Sequence, residues 1–137
     1  MNITGDATYD LVLTIAFAVV ACTTIAAFFI ATPYGRFADA KYGLSLDPRL
    51  GWFLMELPAT LTFFTFYPRG PNALEPFPLF VAFVWAVHYL NRGFLMPLFM
   101  RVPKGQKSGF GLMVVVIGWG VTGMHGYLNA TWASRLF

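Results

Sequence analysis

A chain of 137 residues that is 58% hydrophobic and only 11% charged has too few charges for an ordinary water-soluble domain, in which about a quarter of residues are charged. Its formal charge is +3, but the bases are dispersed, which argues against nucleic acid as a partner. The lone cysteine, Cys22, excludes an internal disulfide and a cysteine metal cluster.

Met1 to Thr8 is polar, contains Asp6 and lacks the basic start of a signal peptide, so the run after it reads as a retained helix. Residues 9–30 are apolar beyond Asp10. At ~1.5 Å per residue they reach roughly 33 Å, enough to cross a bilayer core of about 30 Å. The first loop, Ala31 to Leu50, opens on the turn chemistry of Thr32-Pro33-Tyr34-Gly35 and carries Arg36, Lys41 and Arg49. Residues 51–67 form a short second span. Within it Pro58 lacks an amide hydrogen and frees the carbonyl of Leu54, which predicts a kink.

The second loop, Pro68 to Pro76, is rich in proline and glycine and has Arg69 as its base. Residues 77–100 form a third span, which contains His88, Asn91 and Arg92 and so does not face lipid all round. The third loop, Arg101 to Ser108, carries Arg101, Lys104 and Lys107, and residues 109–132 form a fourth span. The expectation is an all-α integral membrane protein, a single membrane domain over residues 1–137 with four transmembrane helices. The excess of bases in the first and third loops puts these in the cytoplasm and the N-terminus outside or in a lumen.

Charge inside the spans is confined to Glu56 and Arg92, apart from Asp10 at an edge, and both histidines, His88 and His125, also lie within spans. A carboxylate at the centre of a membrane helix costs about 2.5–3.5 kcal/mol on insertion scales, and such groups face the bundle interior or a wet cavity. At about 100° per residue, Trp52, Glu56, Ala59 and Phe63 share one stripe of the second span. Trp85, Tyr89, Arg92 and Met96 share a stripe of the third, with His88 at its edge. Facing stripes would make a polar spot with aromatic walls, suited to a large apolar ligand with one or two polar atoms. The bland reading is a structural Glu56–Arg92 ion pair between helices with aromatic packing around it. His125 and Asn129, four residues apart, either line a cavity or bond a neighbouring backbone.

Gly118-Trp119-Gly120-Val121-Thr122-Gly123 matches G-x-G-x-x-G, but it lies within an apolar helical run and not at a strand-to-helix turn, so it is not a dinucleotide fingerprint. Gly118, Thr122 and Gly126 instead have the small-xxx-small spacing of a helix-packing surface.

Trp52-Phe53-Leu54-Met55-Glu56-Leu57-Pro58 resembles the W-F-x-x-E-x-P signature of the steroid 5α-reductases (3-oxo-5α-steroid 4-dehydrogenases), and His88-Tyr89-Leu90-Asn91-Arg92-Gly93-Phe94 resembles that family's H-Y-x-x-R-x-[FL]. Pro33-Tyr34-Gly35-Arg36-Phe37 and Gly126-Tyr127-Leu128-Asn129 fit in the same order. The resemblance covers nearly the whole chain but only the N-terminal half of the family, whose members form a seven-helix bundle. It implies reduction of the C4–C5 double bond of a 3-keto-Δ4-steroid, or a related enone, with NADPH as cofactor. On this reading Glu56 and Tyr89 are catalytic and hold the C3 carbonyl, Trp52 and Trp85 bind substrate, and Arg92 and His88 support the site. Most NADPH-binding residues would belong to a C-terminal half, an expected partner that this chain lacks, so the chain reads as a fragment of a longer protein. The implied setting is a multi-pass protein in the lipid bilayer, of the endoplasmic reticulum in a eukaryote or the inner membrane in a bacterium. The alternatives are a non-catalytic four-helix membrane remnant and a related membrane enoyl-thioester reductase.

Overall fold

A computed structural model describes residues 3–29, 34–35, 43–102 and 109–137. The opening of the first-loop turn (Thr32, Pro33) and the bases Arg36, Lys41, Lys104 and Lys107 lie outside the described residues. The chain is mostly helical, in keeping with its long apolar runs.

Helix α1 spans Ala7–Ala27 and is capped by Asp6, whose carboxylate accepts from the Tyr9 amide. Helix α2 spans Pro48–Phe66. Asp47 caps it, accepting from the Arg49 and Leu50 amides, and Pro48 occupies the first turn, where a missing amide costs nothing. Helix α3 spans Pro76–Tyr89, widens into a π-helical turn over Leu90–Leu95, and continues as α4, Met96–Phe99. Helix α5 spans Leu112–Thr131 and ends in a second π-helical turn, Trp132–Leu136.

One departure from the all-α expectation is a small antiparallel sheet of order β1-β3-β2, made of β1 (Tyr34–Gly35), β2 (Ser45–Leu46) and β3 (Gly109–Gly111). Phe110 pairs with Tyr34 on one side and Leu46 on the other. A strand leading into α5 thus binds two strands from the segment before α2, and both connections meet at one end of the bundle. At the other end the Asn72 amide donates to Ser134 O (2.9 Å), and Arg135 reaches Asp6 Oδ2 (3.3 Å).

Helices α2 and α5 run side by side as the tightest pair. Gly118, Thr122 and Gly126 of α5 lie against α2. A side chain at Gly118 would strike Met55, and one at Gly126 would strike Thr62 Oγ1 and the Ala59 carbonyl. Thr122 Oγ1 donates to Met55 O at 2.9 Å. The carbonyl that Pro58 leaves without an amide, Leu54 O, accepts the Trp119 indole N–H at 2.6 Å. The core continues through Ala59, Phe63, Trp85, Tyr89 and Ala130.

Of the four expected spans, α1 and the continuous helix Pro76–Phe99 are long and apolar enough to cross a membrane. Helices α2 and α5 carry the small and hydroxyl residues that mate them, including Thr62, Gly118, Thr122 and Gly126, and α2 also carries Glu56, which dilutes their apolar character.

Candidate functional site

Pairing of α2 with the α3 segment follows from the two stripes foreseen in the sequence. Glu56, Ala59 and Phe63 are buried on α2, and Trp85 and Tyr89 are buried on α3. Phe63 and Trp85 stack at 4.4 Å, and Trp85 passes the contact to Tyr89 at 4.7 Å. One further turn along, Glu56 meets Arg92. Nε and Nη2 of Arg92 both lie 2.9 Å from Glu56 Oε1. The Glu56 side chain is 3% exposed and that of Arg92 43%, so a guanidinium at the cavity edge holds a buried carboxyl. Gly93 lies beside the pair: a Cβ there would meet Glu56 Cβ at 3.6 Å and Tyr89 Cδ1 at 4.0 Å, ordinary van der Waals contact.

Glu56, Tyr89 and Arg92 border a cavity of about 750 Å³, within the range of ligand sites. Glu56, His88, Tyr89 and Arg92 supply its polar wall. Val19 and Val20 of α1 and Met113, Ile117 and Val121 of α5 supply much of the apolar one. Nothing in the residue order points to this second wall, because an unbroken apolar run does not say which of its faces meets a cavity and which meets lipid.

His125 also borders the cavity, and the two readings left open for it hold together. Asn129 Nδ2 lies 3.2 Å from His125 Nδ1 and donates to His125 O at 2.9 Å. The His125 ring also sits 5.0 Å from Trp85.

Trp52 and Trp85, the expected aromatic walls, are not among the residues bordering this cavity. Trp85 is core, enclosed by Phe63, Tyr89 and His125. Trp52 stands behind Arg92. Its ring centroid is 5.1 Å from the Arg92 guanidinium carbon, and its indole N–H donates to Arg92 O at 3.2 Å. Among the described residues there is no cluster of His, Cys, Asp and Glu able to hold a metal ion.

No protein-family model matches the chain. Among curated proteins, it is 36% identical over 114 residues to steroid 5-alpha-reductase DET2 of Gossypium hirsutum, covering 82% of this chain and 44% of that one. The protein of the same name from Arabidopsis thaliana is 29% identical over 110 residues, covering 78% of this chain and 42% of the relative. The chain therefore spans less than half the length of the curated relatives it matches, a coverage that fits an N-terminal half. By this similarity the chain is a homologue of the steroid 5-alpha-reductases.

Proposed function

We propose that this chain forms the carbonyl-binding side of a membrane enone reductase whose substrate is a 3-keto-Δ4-steroid or a similar flat, apolar enone. The observation that carries the reading is the joining of Glu56, Tyr89 and Arg92 on the wall of one largely apolar cavity, in a homologue of steroid 5-alpha-reductases. When a conjugated enone is reduced, negative charge develops on its ketone oxygen. Hydrogen-bond donors fixed at that point in a water-poor site stabilise the charge. Tyr89 donates its hydroxyl. Glu56 donates from Oε2 when protonated, since Arg92 occupies Oε1.

The described cavity wall does not fit the dinucleotide that the resemblance implies. NADPH carries a pyrophosphate and a 2′-phosphate, which call for several arginines, lysines or open helix N-termini. The arginine on this wall, Arg92, is already paired with Glu56. We place the NADPH site in the part of the relatives' length that this chain does not match. We further propose that the chain crosses the membrane four times. The joining of the two inter-helix connections at one end, and of the Asp6 and Arg135 segments at the other, is what four alternating crossings require.

A second reading, a purely structural Glu56–Arg92 pair in a non-catalytic bundle, is favoured by the directness of that contact. The two separate on kinetics of the full-length protein in membranes, assayed with NADPH and a 3-keto-Δ4-steroid. Tyr89→Phe and Glu56→Leu are each expected to lower turnover by about 10²-fold, the typical effect of losing one such donor, with expression near normal. Wild-type rates in both variants would remove the site assignment.

A further inference from the structure

The π-helical turn after α3 has a consequence for Arg92. In this turn each carbonyl accepts from the amide five residues ahead, as Asn91 O does from Met96. Arg92 O is next in line, and the residue five ahead is Pro97, which has no N–H. The π register and Pro97 together leave that carbonyl without a helical partner, inside a hydrophobic segment where an unsatisfied carbonyl is costly. The Trp52 indole N–H takes that place at 3.2 Å.

The same indole lies against the Arg92 guanidinium, 5.1 Å from ring centroid to Cζ, at cation–π distance. Trp52 and Glu56 are four residues apart on α2, so they stack on one face of that helix. One turn of α2 thus grips Arg92 at three points: its carbonyl, its cationic plane and its N–H edge. Trp52 is itself held from behind by Phe110 of β3, edge-on at 6.1 Å. Phe110 fits there because the neighbouring residue on α2 is Gly51, where any side chain would collide with the Phe110 ring.

We propose that Trp52 is a positioning residue that fixes Arg92 against Glu56 from outside the cavity and makes no contact with the ligand. This rests on the enone-reductase reading for its kinetic consequence but not for its structural one. Release of Trp52 frees the Arg92 carbonyl and the guanidinium together. The Glu56 carboxyl then loses its fixed orientation toward the ketone oxygen, while the cavity walls that bind the apolar body stay in place.

The test is a cycle in the full-length protein with Trp52→Phe, Pro97→Ala and the double variant. Phenylalanine keeps a ring under the guanidinium but removes the indole N–H. Alanine at 97 supplies a backbone N–H in the π register, giving Arg92 O a helical partner again. Two measurements are made in detergent micelles: hydrogen exchange of the Arg92 Nε–H by nitrogen-15 NMR, and kcat and KM for a 3-keto-Δ4-steroid with NADPH. Trp52→Phe is expected to speed Nε–H exchange severalfold and lower kcat on the order of tenfold, the scale of a modest misplacement, with KM changed less than twofold. The double variant is expected to recover most of both losses. Unchanged exchange in Trp52→Phe, absence of rescue by Pro97→Ala, or a rise in KM with kcat preserved would each overturn the proposal, the last by making Trp52 a ligand wall. If the wild-type protein reduces no enone, the proposed function fails, and the exchange measurement still decides the role of Trp52.

Discussion

Trp119 donates its indole N–H to the carbonyl of Leu54 at 2.6 Å, the carbonyl that Pro58 leaves without an amide. A proline in mid-helix costs a hydrogen bond, and α5 returns one at that point, beside the Thr122 hydroxyl on the adjacent carbonyl of Met55. Trp119→Phe is expected to destabilise the protein by about 1 kcal/mol, the scale of interhelical hydrogen bonds in membrane proteins. Pro58→Ala in the same background is expected to restore the loss, since an alanine at that position would supply the missing amide. Denaturation of the wild type, the two single variants and the double variant in micelles measures the cycle, and additive effects would show that the indole and the proline are not coupled.

The α2–α5 contact makes opposite demands on two glycines of α5. At Gly126 a Cβ would run into Thr62 Oγ1 and the Ala59 carbonyl, whereas at Gly120 it would meet nothing within 4 Å. Gly126→Ala is expected to cost about 1–3 kcal/mol by overpacking against backbone. Gly120→Ala is expected to be neutral or to stabilise by up to about 1 kcal/mol through helix propensity. Thermal unfolding of the two variants side by side provides the comparison, and equal effects would contradict the packing described.

Glu56 and Arg92 depend on one another unequally. Arg92→Leu leaves a buried carboxyl, 3% exposed, without its cation. The expected cost is about 2 kcal/mol, below the 3–5 kcal/mol of a fully buried pair because the Arg92 side chain is 43% exposed. The double variant Glu56→Leu, Arg92→Leu is expected to be more stable than Arg92→Leu alone, since no orphan charge remains. Chemical denaturation reads this, and a double variant that is less stable than Arg92→Leu would contradict it.

Asp6 predicts an acid-side loss of stability. The Tyr9 amide, then Arg135 and the Thr8 amide, hold its carboxyl below the ordinary range against an opposing effect of burial. With the folded value depressed, its contribution is fully present above the unfolded value of about 3.9 and is lost as pH falls through the folded value. Asp6→Asn retains a capping side chain but does not titrate. The variant is therefore expected to show a flatter fall in unfolding free energy from about pH 5 down to the acid limit of folding, the interval where carboxylates protonate. An unchanged slope would mean that Asp6 is not responsible.

Helical character was legible in the residues alone, because the long uninterrupted apolar runs outlast an ordinary strand. Glu56 and Arg92 were marked as well, since charges inside such runs are conspicuous, and so was the unpartnered carbonyl of Leu54, since proline lacks its own N–H. All of these are local properties of the chain. What answers them depends on the tertiary fold. The donor to Leu54 O comes from 65 residues away, and the donor to Arg92 O from 40 residues away. The short strands that join the two connections are too brief to show any period in sequence. The π register that empties Arg92 O is invisible without coordinates, and so is the Trp52 indole that donates to it. Proline fixes where a hydrogen bond is missing; only the packing of distant helices fixes which side chain supplies it.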